Sequence, residues 1–262
     1  MIVTRHYLRL QRLSLTIWAF VLAFLAAVTA GSAGAITQGN AFQELIGTLP
    51  IALQRVVGAH IANPVDAYIA IKFLSIVPPL CGTAGVLAAA GIVQRDRNKR
   101  TMDFLLSLPV ARRRVVRDRF TAVIIGLVLL YAAVWLTLVL VLGVSGLKGS
   151  YGRYAIILLA GFALNVAHAG LALTLSFRLP TYDRTVRYSL GLVLIPFGLE
   201  VALKSAGAVP GLRYLLLYRL ADPVELMMDP RGIWQSVLIG AAITFLAIRW
   251  SQEKFVGGDM EA

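Results

Sequence analysis

The chain reads as an all-α, polytopic membrane protein of about six transmembrane helices. Apolar residues fill 58% of its 262 positions and charged residues only 15%, too few to clothe a water-facing globule. Six apolar stretches are long enough to cross about 30 Å of hydrocarbon. The basic residues fall mainly between these stretches, so the formal charge of +12 reports membrane topology rather than a nucleic-acid partner.

The spans run at about 13–35, 68–93, 121–145, 154–177, 188–206 and 233–250, and form a single transmembrane domain over 1–262. The first follows Arg5, Arg9 and Arg12 and superficially resembles a secretory signal. Its length exceeds a typical signal core and suits a first anchoring helix. The second carries Pro78-Pro79, then Gly82 and Gly85, which predicts a kink and close helix approach. Gly161 and Ala169-Gly170 in the fourth read as ordinary packing positions. The fifth has Pro196 and Gly198 just before Glu200, which predicts a break in its outer half.

An even number of spans puts both termini on one side, and the side follows from where Lys and Arg lie. With the N-terminus inside, the inner segments hold 17 of the 25 basic residues, nine of them between Arg95 and Arg119. Both termini are therefore expected to be cytoplasmic. Two outer loops carry helical apolar spacing: residues 42–58 around Pro50, and LRYLLLYRL at 212–220, ahead of Asp222-Pro223. Each is expected to lie along the outer membrane face or to pack against the bundle.

No machinery for chemistry is visible. The sequence contains no phosphate-binding GxxxxGK[ST] loop, no HExxH, no GxSxG and no Cys/His cluster. Cys81 is the only cysteine, so no intrachain disulfide, CxxC pair or thiolate metal cluster can form. His6, His60 and His168 are too dispersed in this topology to share a metal. No catalytic, cofactor-binding or metal residue is assigned.

The informative loop joins the second and third spans and reads QRDRNKRTMDFLLSLPVARRRVVRDRF, residues 94–120. Thr101 can cap a short helix with Asp103 in its favourable first turn. Phe104, Leu105 and Leu108 then make an apolar patch and Pro109 ends the helix. The Arg112 to Arg119 run leads back to the membrane at headgroup level. Such a helix either docks into a protein partner or lies on the anionic inner leaflet, and physics alone leaves both open.

This loop, placed directly after the second of six spans, resembles the cytoplasmic coupling segment of ABC type-2 exporter permeases. The family's usual form has an acidic residue, Gly-Thr, an acidic residue, a Leu-rich run, a Pro and a basic pair. Thr101, Asp103, Leu105, Leu106, Ser107, Pro109 and Arg112 fall on that pattern, and Asp96 stands for the earlier acid. Arg100 departs from the usual Gly and Arg119 from the usual Lys. The resemblance implies a permease subunit of the bacterial-type inner membrane. It implies work as a homodimer, or as a heterodimer with a similar permease, each half presenting a short coupling helix to a separate ABC ATPase subunit. ATP and Mg would be bound by that ATPase, with no cofactor in this chain. Residues Asp96, Thr101, Asp103, Phe104, Leu105, Leu106, Leu108, Pro109 and Arg112 are the coupling candidates. The competing reading is a non-transporting membrane-anchor or assembly subunit of another complex.

Polar groups at membrane depth are costly and become candidates by default. Asn165 and His168, three apart in the fourth span, suit helix-helix hydrogen bonds or a translocation path. Glu200 and Lys204, four apart in the fifth, are spaced to pair on one helix face near the outer surface. Lys72 is expected to snorkel outward.

Overall fold

The computed structural model describes residues 2–37, 44, 47–48, 61–98, 112–206 and 216–256. Among the described residues the chain is helical, without strands, and six helices are long and apolar enough to cross a membrane. The elements are α1 (Ile2–Thr37), α2 (Pro64–Ile69), a π-helical turn (Ala70–Leu74), α3 (Val77–Asn98), α4 (Arg112–Val144), α5 (Tyr151–Arg178) and α6 (Tyr182–Ala206). A 3-10 turn (Leu217–Ala221), α7 (Pro223–Met228), a second 3-10 turn (Pro230–Gly232) and α8 (Ile233–Val256) complete the described elements. The second span comprises α2, the π turn and most of α3.

The bundle is built around the second and fourth spans. Their most apolar windows are 72% and 67% buried, against 17% for the first and fifth spans and 22% for the sixth. The outer helices expose large apolar side chains, such as Leu13 at 74%, Phe20 at 71% and Trp234 at 68%, as a lipid-facing surface requires. Small residues bring the central helices together. A Cβ on Gly240 of α8 would stand 2.7 Å from the Ala163 carbonyl oxygen of α5, and one on Gly82 of α3 would stand 2.7 Å from Asn165 Oδ1.

The two proline expectations meet different outcomes. In the second span the regular α-helix is interrupted, one turn ahead of Pro78-Pro79. The Ser75 N–H bonds back five residues to the Ala70 carbonyl, the signature of the π turn, and α3 restarts at Val77. Pro78 and Pro79 thus occupy the first turn of α3, where a helix needs no N–H donor. Their cost falls on the carbonyls of Leu74 and Ser75, four residues back, where the chain widens. In the fifth span the expected break is absent: α6 runs without interruption from Tyr182 to Ala206, through Pro196. One proline frees a single carbonyl, that of Leu192, and the His168 imidazole of α5 lies beside it.

The helices at the end of the bundle that carries both termini run past the membrane. With 33 residues, α4 is about 50 Å long at 1.5 Å per residue, well beyond the hydrocarbon thickness. The Arg112–Arg119 run is therefore helix, continuous with the third span. Polar side chains tie this end together. Tyr7 donates to the Ala88 carbonyl at 2.8 Å, and Arg119 Nη1 donates to the Ile92 carbonyl at 2.6 Å while its guanidinium lies over the Tyr7 ring. Gln94 Nε2 donates to the carbonyls of Ser176 and Leu179, at 2.9 and 2.7 Å, and the Arg178 guanidinium lies 4.7 Å from the Trp250 ring centre.

The opposite end is tied through Asp66 in the first turn of α2, which is 3% exposed. It accepts from the Ser150 N–H at 2.9 Å, from Ser150 Oγ at 2.6 Å and from the Tyr154 hydroxyl. Three donors on one buried carboxylate offset its lost hydration and fix the α4–α5 loop against the start of the second span.

Candidate functional site

Of the coupling candidates, Thr101, Asp103, Phe104, Leu105, Leu106, Leu108 and Pro109 lie outside the described residues. Asp96 falls in the last turn of α3 and Arg112 opens α4. The thirteen-residue stretch 99–111 thus connects two helices at the termini end of the bundle. Asp96 and Arg112 are placed there by their backbone. The expected helix at 42–58 also lies outside the description, apart from one helical bond in which the Thr48 N–H donates to the Glu44 carbonyl at 3.1 Å.

The four candidates inside the spans are all placed. Asn165 is fully buried, and its Nδ2 donates to the Pro78 carbonyl at 2.8 Å and to the Tyr131 hydroxyl at 2.7 Å. It thereby joins three spans, which is the helix-helix role that its position suggests. His168, one turn further along α5, is also buried, and neither ring nitrogen has a well-formed hydrogen bond. Its ring instead stacks on Tyr218, with centroids 5.4 Å apart, and Phe197 of α6 meets Tyr218 from another side at 5.5 Å.

Tyr218 belongs to the 3-10 turn Leu217–Ala221, part of the segment expected either at the membrane face or packed against the bundle. That turn packs into the bundle. Its tyrosine is 5% exposed, because the ring finds aromatic neighbours on α5 and α6. Burial, with the nearby Cys81 thiol adding to it, pushes the Tyr218 phenol well above its ordinary value, so the hydroxyl keeps its proton.

Glu200 and Lys204 lie in the last two turns of α6, and Glu200 is 6% exposed. Sequence spacing matches them to each other, but the carboxylate that Lys204 grips is Asp222, at 2.9 and 2.7 Å from its two oxygens. Asp222 also caps α7, accepting from the Val224 N–H at 2.9 Å. Lys72, as expected, is exposed.

Glu200, Lys204 and Asp222 sit on the wall of a cavity of about 190 Å³. It lies between α6, the widened part of the second span and the turn that leads into α7. Ile71, Pro78, Phe197, Val201, Tyr218 and Val224 supply most of the remaining lining. Sequence reasoning missed Asp222 and Tyr218 as members of this site. The Asp-Pro pair at 222–223 signals a helix cap, yet nothing local predicts that Lys204 would reach it.

Six apolar helices among the described residues, packed around a buried polar seam, are those of a multi-pass membrane protein. The family model for the ABC-2 family transporter protein matches residues 2–228, and the chain belongs to that family. As a member of that family it is a membrane component of a transporter. A search among curated proteins finds no similar sequence.

Proposed function

We propose that this chain is the membrane subunit of an ABC exporter, coupled to a separately encoded ATPase through residues 101–109. The observation that carries this reading is the match between family membership over residues 2–228 and the coupling-like segment TMDFLLSLP, set between α3 and α4. Two features of the fold support it. The helices flanking that segment are tied to one another and to α1 by Arg119, Tyr7 and Ala88, so a push on the segment reaches three spans at once. The basic residues cluster at the same end, which supports reading that end as the cytoplasmic face of the membrane.

In this mechanism the ATPase dimer closes on ATP and Mg that it alone holds. Leu105, Leu106 and Leu108 supply apolar contact area in a groove on the ATPase, while Asp103, Asp96 and Arg112 orient the contact. Closure stabilises one membrane arrangement over another only if the docked segment differs in energy between the two. A second permease, identical or similar, completes the path.

The test is a mild-detergent pull-down of the tagged chain from its host, with mass spectrometry and an ATPase assay of the eluate. A roughly equimolar P-loop ATPase, lost with Leu105→Asp/Leu106→Asp, is expected. Recovery of no ATPase under conditions that preserve a control complex would instead favour an anchor or assembly subunit.

A further inference from the structure

We infer that the exposed face of α1 and α4 at the termini end of the bundle is a binding surface for an anionic phospholipid. The charge follows from the sequence. Residues 1–12 and 95–119 carry twelve Arg and Lys against three acids, Asp96, Asp103 and Asp118. Pairing within these segments therefore leaves most of the basic side chains without a carboxylate, whichever pairs form.

The two helices bring that charge to one depth. They pack side by side and run in the same direction: Tyr7 lies under the Arg119 guanidinium, and further along α1 Leu15 lies against Gly126 of α4. Arg12 is the last charged residue of α1, and Arg119 is the last of α4. Beyond them each helix runs free of charge to its other end, a length of about 37 Å at 1.5 Å per residue, enough to cross the hydrocarbon. The arginines thus stand at the headgroup boundary, where a guanidinium meets phosphate.

Exposure and neighbours select the occupant. Arg9, Arg12 and Arg117 are exposed, and none of these three side chains forms an ion pair or hydrogen bond with a described residue. Leu10 and Leu13, 57% and 74% exposed, share a broad face of α1 with Arg9 and Arg12. An occupant must therefore meet positive charge and apolar surface on one helix face. An anionic phospholipid does both, with its phosphate on the guanidinium groups and its chains along Leu13 and the apolar residues beyond it. A soluble anion satisfies the charge and leaves the apolar surface bare.

This surface belongs to the chain alone and holds whether or not residues 101–109 dock an ATPase. Its test is native mass spectrometry of the purified full-length chain, without ATPase, released from micelles that hold dioleoyl phosphatidylglycerol and dioleoyl phosphatidylcholine in equal amounts. The expected result is about fivefold or greater retention of phosphatidylglycerol over phosphatidylcholine. Arg9→Gln/Arg12→Gln/Arg117→Gln should bring the ratio below about two, while Arg231→Gln, an exposed arginine at the opposite end, should leave it unchanged. Arg9→Gln and Arg117→Gln as single changes should each lower the ratio to an intermediate value, which keeps the test intact if the triple variant misfolds. Equal retention of the two lipids, a ratio unchanged in a folded variant, or displacement of the lipid by glycerol 3-phosphate, which carries the phosphate without the chains, would overturn the assignment.

Discussion

Lys204, near the end of the fifth span, donates to both carboxylate oxygens of Asp222, eighteen residues further on, at 2.9 and 2.7 Å. The carboxylate is 3% exposed and the lysine side chain 19%. The pair staples the end of α6 to the turn that starts α7, and it closes one wall of the cavity.

A buried pair costs more to break than to replace. Removing one partner leaves an uncompensated charge and costs about 3–5 kcal/mol, whereas removing both is far milder. Lys204→Met should therefore lower the melting temperature in detergent more than Lys204→Met/Asp222→Asn does. The Asp222→Asn change keeps a side-chain oxygen at the position that caps α7, so the cap itself is preserved. A double variant as unstable as the single one would contradict the pairing.

Contact between α8 and α5 depends on the missing side chain at Gly240, where a Cβ would lie 2.7 Å from a backbone oxygen. Backbone gives way poorly, so Gly240→Leu should destabilise by about 1–3 kcal/mol, as overpacking does. Gly152→Ala, where a Cβ meets nothing within 4 Å, is the matched control and should melt like the parent chain.

Asn165 donates to groups on two other spans. Hydrogen bonds between membrane helices are worth about 0.6 kcal/mol on average and about 1.7 at most, so Asn165→Ala should cost on the order of 1 kcal/mol. Thermal melting of the purified chain checks this. A loss well above that range would indicate that Asn165 supports more than these two bonds.

At the termini end, Arg119 holds the Ile92 carbonyl at 2.6 Å and covers Tyr7. Arg119→Ala removes a charge-assisted bond worth about 1.5–3 kcal/mol. If this tie transmits motion of the 101–109 segment, the variant should retain the ATPase partner while losing most substrate-stimulated ATP hydrolysis. Assay of the co-purified complex distinguishes the two effects.

Much of the fold is legible in the sequence because a bilayer imposes simple arithmetic. Apolar runs of spanning length give the six helices, and Gly82, Gly85, Gly161 and Gly170 in spans two and four coincide with close contacts. What the sequence leaves hidden depends on the third dimension. Glu200 lies four residues from Lys204 and suggests itself as partner, but Asp222 arrives across a loop whose path no local pattern encodes. Tyr218 has a Tyr/Arg-rich setting that suits a membrane interface, yet His168 and Phe197 from two other helices draw it inward. Pro196 looks like a break, and α6 continues because only one carbonyl loses its donor. Asn165 is legible as a polar residue at depth, though its two partners are not.

The most direct measurement of the central claim is photo-crosslinking from residue 105. A photoreactive amino acid placed there, and at Leu199 on an exposed face of α6 as a control, is activated in native membranes and the adducts are identified by mass spectrometry. Coupling through this segment predicts adducts between position 105 and a P-loop ATPase, with none from position 199. Adducts from position 105 to lipid alone, or to proteins without a P-loop, would contradict it.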